Sequence, residues 1–257
     1  MKLKYAFEIV GDVAIFETEE KRKDKKIAEE IVKAHKRVKT VLKKISERTG
    51  VYRIRKFKLV LGKETETIHK EHGCRYRLDV RKVYFSPREG TERERTAKQV
   101  KPGERVLVMF AGIGPYPVII AKKQPEVERI CAVEINPKAV EYMKENIRIN
   151  KVSDKVVPVL GDVKEVCKKW EKEFDRVIMP LPKEGYRFLD TAVKCLKPKG
   201  ILHFYFYDSE KNLFGKAVDL IEKAAKKAGR KAKILSKRKV LPYGPRVWKI
   251  CIEAEIK

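Results

Sequence analysis

The 257-residue sequence has few cysteines and histidines, and long apolar runs are missing from it. Its five cysteines are odd in number and nowhere form a CxxC pair, which argues against both a disulfide framework and a zinc ribbon. No window approaches the roughly 18 consecutive apolar residues of a membrane span, and the amino terminus lacks the cleavable apolar stretch of a signal peptide. The sequence therefore predicts reduced cysteines, no bound metal, no membrane association and a cytoplasmic location.

Acidic residues are also scarce relative to basic ones, because 62 lysines and arginines face 36 aspartates and glutamates, which gives a formal net charge of +26. Neutralising the phosphates of a nucleic acid requires basic charge of this density, since each contacted phosphate releases counterions. Abundant Lys and Glu are also typical of heat-adapted proteins, so part of this charge could serve stability. We expect a nucleic acid partner, contacted by the basic segments 24–48 and 226–239.

The first part of the chain, residues 1–79, is predicted to form a small α+β domain. Two short apolar runs around Gly11-Asp12 indicate a hairpin over residues 3–17. Apolar residues at helical spacing, with Lys and Arg between them, predict an amphipathic basic helix over residues 24–48. His72-Gly73 is predicted to be a turn. Strands are expected at 52–60, 65–69 and 74–84.

The second part, residues 80–257, alternates continuous apolar strands with amphipathic helices, and Thr91 and Glu94 have the capping-box spacing of a helix start. Such a series predicts a parallel sheet covered by helices on both faces, which is a doubly wound, Rossmann-like α/β fold. An antiparallel pair at 232–240 and 247–256 closes the predicted seven-stranded sheet. The parallel strands are expected at 106–110, 130–135, 156–160, 174–179 and 201–207.

Three motifs lie where successive strands of this sheet end, which is where doubly wound sheets bind their ligands. The glycines of Ala111-Gly112-Ile113-Gly114 would let the backbone approach a ligand, although they could also form a plain tight turn. Glu134 ends the second strand, where a carboxylate can hold both hydroxyls of a ribose. Asp162 follows the third strand, where an acidic group could read an adenine ring or simply cap a helix. Together the motifs predict a nucleoside pocket.

The residues after the second glycine indicate which nucleoside the pocket binds. A dinucleotide such as NAD would require a third glycine in the pattern GxGxxG, whereas Gly114 is followed by Pro115-Tyr116-Pro117. S-adenosylmethionine is therefore the preferred cofactor. The closing antiparallel pair and the three motifs together resemble the class I S-adenosylmethionine-dependent methyltransferases.

Longer segments carry a more specific likeness. They are YFSPREGTERER (84–95), VMFAGIGPYP (108–117), VEINPKAVEYMKENIRIN (133–150), DRVIMPLPKEGYRFLD (175–190) and LPYGPRVW (241–248). These segments resemble the archaeal tRNA (guanine-37-N1)-methyltransferases and their wybutosine-pathway relatives, and the likeness covers nearly the whole chain. Two side chains depart from the family pattern, because Val108 replaces an aspartate and Pro180 replaces an asparagine. We also expect the usual extra amino-terminal domain to be lacking.

The resemblance implies methyl transfer to N1 of guanosine 37 in the anticodon stem-loop of tRNA. It implies that Glu92 is the general base for the N1 proton and that Arg53 is the cation for charge developing on O6. Glu92 could instead interact with a helix dipole, and Arg53 could be one of several phosphate contacts. The cofactor-binding residues that the resemblance implies are Tyr84, Arg93, Phe110, Gly112, Gly114, Glu134, Ile135, Asp162, Val163 and Pro180.

Two other functions stay open at this point. The wybutosine-pathway relatives transfer the aminocarboxypropyl group of the same cofactor to a modified guanosine, and they typically have Gly-Tyr where this chain has Leu181-Pro182. That difference favours methylation. A non-catalytic RNA-binding protein with the same fold is the third hypothesis, to which Val108 and Pro180 lend weight. We expect the protein to be a monomer.

Overall fold

The computed structural model describes residues 5–20 and 23–257. The amino-terminal part is a four-stranded sheet in the order β1-β2-β3-β4 with one helix, α1, packed on it. Its elements are β1 (Phe7–Val10), β2 (Val13–Phe16), α1 (Asp24–Ala34), β3 (Thr40–Lys44) and β4 (Phe57–Leu61). The hairpin predicted around Gly11-Asp12 is confirmed as β1 and β2, while residues 3 and 4 lie outside the described residues.

The helix predicted over residues 24–48 is wrong in its second half. Helix α1 ends at Ala34, and β3 pairs parallel with β2 and antiparallel with β4. Val41 and Leu42 are adjacent in sequence and both fully buried, which a strand allows because its side chains point to opposite faces. Lys43 reaches back to Asp24 at the start of α1, with 2.8 Å between Nζ and Oδ1. The segment is therefore partly core and not one continuous basic surface.

The strands after it begin later or end earlier than predicted. Strand β4 starts at Phe57 because residues 49–54 form a turn closed by a bridge between Thr49 and Ile54. The following hairpin consists of β5 (Glu66–Glu71) and β6 (Cys74–Asp79), and its turn is at His72-Gly73 as predicted. Residues 80–84 are not part of a strand. The predicted domain boundary after residue 79 stays a prediction.

The carboxyl-terminal part confirms the predicted doubly wound α/β fold. Its seven strands run in the order β12-β13-β11-β10-β7-β8-β9, and β13 is antiparallel to both of its neighbours, β11 and β12, while the other pairs are parallel. The strands are β7 (Arg105–Met109), β8 (Arg129–Glu134), β9 (Val156–Leu160), β10 (Phe174–Met179), β11 (Leu196–Ser209), β12 (Ala232–Gly244) and β13 (Val247–Ile256).

Helices cover both faces of this sheet. They are α2 (Gly90–Ala97), α3 (Pro115–Lys123), α4 (Pro137–Ile149), α5 (Val163–Val166), α6 (Leu189–Cys195) and α7 (Gly215–Lys227). Along the central strand β7, Val106 and Val108 enter one apolar cluster, and Leu107 and Met109 enter the other. No helix in the described part of the chain is long and apolar enough to cross a bilayer. All five cysteines are buried free thiols.

The capping box predicted at Thr91 is wrong. A 3-10 turn at Pro87–Glu89 runs directly into α2, so the helix cap is Glu89 and Thr91 already lies inside the helix. This turn shifts the start of α2 along the chain. It consequently decides which carboxylate of the segment faces the cavity at the carboxyl ends of the parallel strands.

Candidate active site

A cavity lies at the carboxyl ends of the parallel strands, where a doubly wound sheet is expected to bind its ligand. Segments that follow β7, β8 and β10 form its floor, and residues 51–53 of the amino-terminal part and the segment 84–93 form its walls. Of the predicted site residues, it is lined by Arg53, Tyr84, Arg93, Phe110, Gly112, Glu134, Ile135 and Pro180. Glu92, Gly114, Asp162 and Val163 do not line it.

Glu134 is held at one end of the cavity by backbone donors. Its Oε2 accepts the N–H of Gly112 at 2.8 Å, and its Oε1 accepts the N–H of Asn136 at 2.8 Å. Burial raises the pKa of this carboxyl, although the backbone N–H groups oppose the shift. A carboxylate fixed in this way has lone pairs left for two ribose hydroxyls. The apolar walls beside it, including Phe110 and Ile135, suit a planar base.

Gly114 acts behind the cavity wall. Its φ is +85°, which favours glycine, and an added Cβ would lie 2.9 Å from Cγ of Met143 on α4. The glycine therefore allows α3 and α4 to pack closely, and its effect on a ligand is indirect. Its predicted contact with the cofactor stays a prediction.

Asp162 and Val163 lie beside Glu134, outside the set of residues that line the cavity. The N–H of Gly161 donates to the carbonyl oxygen of Glu134 at 2.9 Å, which places the third motif against the second. Oδ1 of Asp162 accepts the N–H of Lys164 at 2.7 Å and so caps α5. Val163 is buried in the core. Their contact with an adenine ring stays a prediction.

Arg93 is committed to an ion pair with a residue of the β5–β6 hairpin. Its Nε and Nη2 lie 2.7 Å from the two carboxylate oxygens of Glu71, and Nη2 also donates to the carbonyl oxygen of Ser86 at 3.0 Å. Burial opposes ionisation of Glu71, but hydrogen bonds from His69 and Arg93 lower its pKa to about 2. Arg93 therefore ties α2 to the hairpin, and part of it also faces the cavity.

Glu92 points away from the cavity into a buried network. Arg95 binds both of its carboxylate oxygens, at 2.9 and 2.6 Å, and the hydroxyl of Tyr205 donates to Oε1 at 2.9 Å. Arg238 approaches from the solvent side, with Nε 3.3 Å from Oε2. Arg95 also pairs with Glu253. The role of Glu92 as general base stays a prediction, and it would require the carboxylate to exchange these partners for the substrate.

Glu89, the last residue of the 3-10 turn before α2, lines the cavity. Its Oε1 accepts from Nζ of Lys249 at 2.8 Å and from the hydroxyl of Tyr84 at 3.1 Å. Burial opposes its ionisation, but Lys249 and Arg93 hold the pKa of Glu89 below its ordinary value. The cavity therefore contains a second buried carboxylate, besides Glu134, and Arg53 lines the same cavity.

Sequence reasoning missed Glu89, Lys249, Tyr116 and Tyr207. One signal for the first pair was available, because Lys249 interrupts the apolar strand VWKICIEAEI and a buried lysine requires an acidic partner. Tyr116 carries no signal apart from its place in the motif after Gly114. Nothing local distinguishes Tyr207 from the other aromatic residues of the strand ILHFYFY.

One cluster in the described residues has the side chains of a metal site. Ligand atoms of His203, Cys251 and Glu253 lie within 4.8 Å of one another. Nη1 of Arg176, however, lies 2.6 Å from Nε2 of His203, and Arg95 pairs with Glu253. Burial, together with Arg176, lowers the pKa of His203. Arg176 and Arg95 thus supply the positive charge that a metal ion would supply in such a cluster. The prediction that no metal is bound stays a prediction.

A doubly wound sheet with a closing antiparallel pair, whose cavity holds a buried carboxylate beside a glycine turn, has the architecture of the class I methyltransferases. Comparison with known families is consistent with this class. Residues 67–235 match the family described as the TRM5/TYW2 methyltransferase domain, and residues 1–65 match the TYW2 N-terminal domain. The chain belongs to the TRM5/TYW2 methyltransferase family.

Individual relatives are similar over almost the whole chain. The tRNA (guanine(37)-N(1))-methyltransferase Trm5b of Pyrococcus abyssi is 43% identical over 99% of this chain and 76% of its own length. A tRNA(Phe) (4-demethylwyosine(37)-C(7)) aminocarboxypropyltransferase of Methanocaldococcus jannaschii is 36% identical over 100% of this chain and 99% of its own. Among solved structures, M. jannaschii TYW2 in complex with AdoMet superposes with a TM-score of 0.78 at 31% identity, covering 98% of this chain and 99% of that one.

Proposed function

We propose that this protein transfers a methyl group from S-adenosylmethionine to N1 of guanosine 37 in tRNA. The observation that carries the proposal is the cavity in which the fixed carboxylate of Glu134 and the guanidinium of Arg53 face the same space. One group suits the ribose of a cofactor and the other suits an oxygen that gains negative charge. The similarity to Trm5b supports the choice of tRNA and of guanosine 37.

The residues of the cavity fit this cofactor. Glu134 would hold the ribose hydroxyls, the backbone at Gly112 would allow close approach, and Phe110, Ile135 and Pro180 would enclose the base and the thioether chain. Glu134, whose carboxylate is held by backbone N–H groups, contributes negative charge, which suits a ligand that carries a sulfonium and an ammonium group. The bound cofactor supplies an electrophilic methyl group.

Methylation at N1 requires that a ring proton leave the guanine. In the proposed reaction a C–S bond of the cofactor breaks, a bond forms between the methyl carbon and N1, and the N1 proton moves to a carboxylate. Glu92 is the proposed base, on the family resemblance. Arg53 would stabilise the negative charge on O6 as the proton leaves. Arg53 is the last residue of the turn 50–53, has φ +53° and lines the cavity from the amino-terminal part.

Aminocarboxypropyl transfer is the second candidate. Residues 1–65 match a TYW2 domain, and the relative from M. jannaschii that carries this activity in its name is similar over the whole chain. Pro180, which replaces the family asparagine, also removes a polar side chain from the wall of the cavity. Leu181-Pro182 supports methylation instead.

Two labelled forms of the cofactor distinguish the candidates. With unmodified tRNA, we expect label from the methyl group to enter the RNA and label from the aminocarboxypropyl group to stay in solution. A tRNA with adenosine at position 37 is the matched control, and it should remain unlabelled. Incorporation of the aminocarboxypropyl label into tRNA that already carries the modified guanosine would overturn the proposal. The absence of both labels would support a non-catalytic RNA-binding protein.

We expect binding of tRNA to weaken steeply with salt, because lysines and arginines would neutralise phosphates. The logarithm of the binding constant should fall by roughly 0.7 to 0.9 per phosphate contact for each decade of salt. Lys183→Ala should reduce this slope by the contribution of about one contact, since Lys183 is exposed and lines an outer groove that shares Arg53 and Tyr207 with the cavity. A larger change in Lys25→Ala would place the contacts on α1 instead. A flat salt response would mean that the basic surface has another purpose.

The predicted monomeric state and cytoplasmic location stay predictions. A sedimentation measurement of the protein, alone and with tRNA, checks the first of them.

A further inference from the structure

Tyr207 and Tyr243 form a stacked pair at the mouth of the cavity. Their ring centroids are 3.9 Å apart and their planes are inclined by 27°. Tyr207 lies on β11 and is half-buried, whereas Tyr243 lies near the end of the edge strand β12 and is 61% exposed. One face of the Tyr243 ring packs on Tyr207. The pair therefore presents an exposed aromatic surface that is backed by a second ring.

This aromatic surface belongs to an outer groove of about 1080 Å³ that continues from the cofactor cavity. Arg53, Tyr84, Glu89 and Tyr207 line both spaces, so they mark the passage between them. Tyr243 lines the outer groove but not the cavity. A ligand that enters the cavity from the outer groove passes Tyr207, and a group that stays in the groove can lie beside Tyr243.

The charge of the outer groove suits a phosphate-bearing ligand. All of its acidic residues lie in ion pairs: Lys249 pairs with Glu89, Arg55 with Glu47, Arg187 outside the groove with Glu184, and Lys44 is shared by Glu8 and Glu17. Four further cations of the groove have no ion-pair partner among residues 5–20 and 23–257. They are Arg48, Arg53, Arg88 and Lys183.

We propose that Tyr243, backed by Tyr207, is a stacking platform for the nucleotide next to the target guanosine in the RNA loop. The inference rests on the proposed function, because the target base must leave its stack to reach the methyl donor, which uncovers the face of its neighbour. Unstacked bases of RNA loops bind to aromatic side chains through their faces, with little dependence on sequence. Arg48, Arg88 and Lys183 would hold the phosphates on either side, whereas Arg53 also lines the inner cavity and faces the target base.

The pair is suited to stacking at neutral pH. Burial raises the pKa of Tyr207 to about 12, although Arg53 opposes the shift, so its ring stays an uncharged phenol. In the register of the sheet, Lys249 of β13 lies opposite Tyr207 of β11 on one side and opposite Leu241 of β12 on the other. The platform is thus attached to the antiparallel strands that close the sheet, and a sheet is a rigid support for a stacking surface.

An anticodon stem-loop RNA with 2-aminopurine on one or the other side of position 37 tests the proposal. Fluorescence of one of these labels should fall when wild-type protein binds, because the base stacks on Tyr243. In Tyr243→Ala the quenching should be lost and the RNA affinity should fall roughly 5- to 100-fold, the range that corresponds to the usual contribution of one stacked base. Tyr243→Phe keeps the ring and should retain both signals.

Leu235→Ala is the matched control, because Leu235 is an exposed apolar residue of the same strand and lies outside the groove. Equal losses in Leu235→Ala and Tyr243→Ala, or unchanged quenching in Tyr243→Ala, would overturn the platform. Wild-type protein that binds and quenches the RNA but transfers no methyl group would overturn the proposed reaction and support the platform. Wild-type protein that does not bind the stem-loop would overturn both.

Discussion

Glu92→Gln should lower the single-turnover rate of N1 methylation by roughly 10²- to 10⁴-fold, which is the usual contribution of general-base catalysis. The amide keeps the shape of the side chain and removes its basicity. The affinities for cofactor and tRNA should change little. The measurement is the rate at which methyl label enters tRNA when enzyme is in excess.

The pH dependence of the variants separates the two predicted catalytic roles. In Glu92→Gln, part of the lost rate should return at high pH, where the guanine N1 proton leaves without help. Arg53→Ala should lack this recovery, because the lost contribution is the stabilisation of charge on O6. An identical pH profile for both variants would contradict the assignment of separate roles.

The buried network around Glu92 makes a structural control necessary. Glu253→Gln is suited to this purpose, because Glu253 also pairs with Arg95 but is not a proposed base. Both variants should lower the melting temperature, since each weakens a buried ion pair. Only Glu92→Gln should lose the methylation rate.

The opposite result would identify a different base. If Glu92→Gln methylates at a near-normal rate and only melts earlier, its carboxylate supports the packing of α2. Glu89→Gln is then the decisive variant, because Glu89 and Glu134 both line the cavity with Arg53 and Glu134 is already assigned to the ribose. A large loss of rate in Glu89→Gln alone would move the base to that position.

Glu134→Ala should abolish detectable binding of S-adenosylmethionine. Two charge-assisted hydrogen bonds to ribose hydroxyls contribute roughly 1.5 to 3 kcal/mol each, so their loss should weaken affinity by about 10²- to 10⁴-fold. Calorimetric titration measures the change. Glu165→Ala removes an exposed acidic residue of α5 and is the matched control. Unchanged affinity in Glu134→Ala would remove this residue from the site.

The fold should survive this substitution, because the negative charge of the Glu134 carboxylate does not itself stabilise the folded protein. Burial raises the pKa of Glu134, so its ionised form opposes folding once the pH exceeds that pKa. Glu134→Ala also leaves the N–H groups of Gly112 and Asn136 without their acceptor, so the variant should stay folded with a lower melting temperature. Because burial raises the pKa of Glu134, cofactor affinity should begin to fall on acidification at a higher pH than an ordinary glutamate would give.

The sequence by itself determined the doubly wound sheet and the nucleoside end of the cavity. Strands of a parallel sheet end at a common edge, so motifs at the ends of successive strands must meet there. Gly112 and Glu134 accordingly come together, with 2.8 Å between the amide nitrogen and the carboxylate oxygen. The family likeness came from the same segments, because their spacing is set by strand and helix lengths that local pattern encodes.

Tertiary structure alone decided the segment from residue 35 to 48. Val38, Val41 and Leu42 fit the helical spacing that begins at Ile27. A strand at 40–44 between two other strands is nevertheless more stable than a helix there, because both faces of the strand are buried. Backbone hydrogen bonds to β2 and β4 and burial of adjacent apolar residues are available only after distant segments have met. These interactions cannot be predicted from the pattern of apolar residues within the segment.

Tertiary structure likewise decided which side chains reach the reaction centre. Glu89 and Glu92 are three residues apart, and the 3-10 turn before α2 sets the rotation that turns the first toward the cavity and the second toward Tyr205. The stacking of Tyr243 on Tyr207 joins two strands that are separated by β13 in the sheet. Local sequence fixes the elements, whereas the phase of a helix and the contacts across a sheet depend on packing between residues that are far apart in the chain.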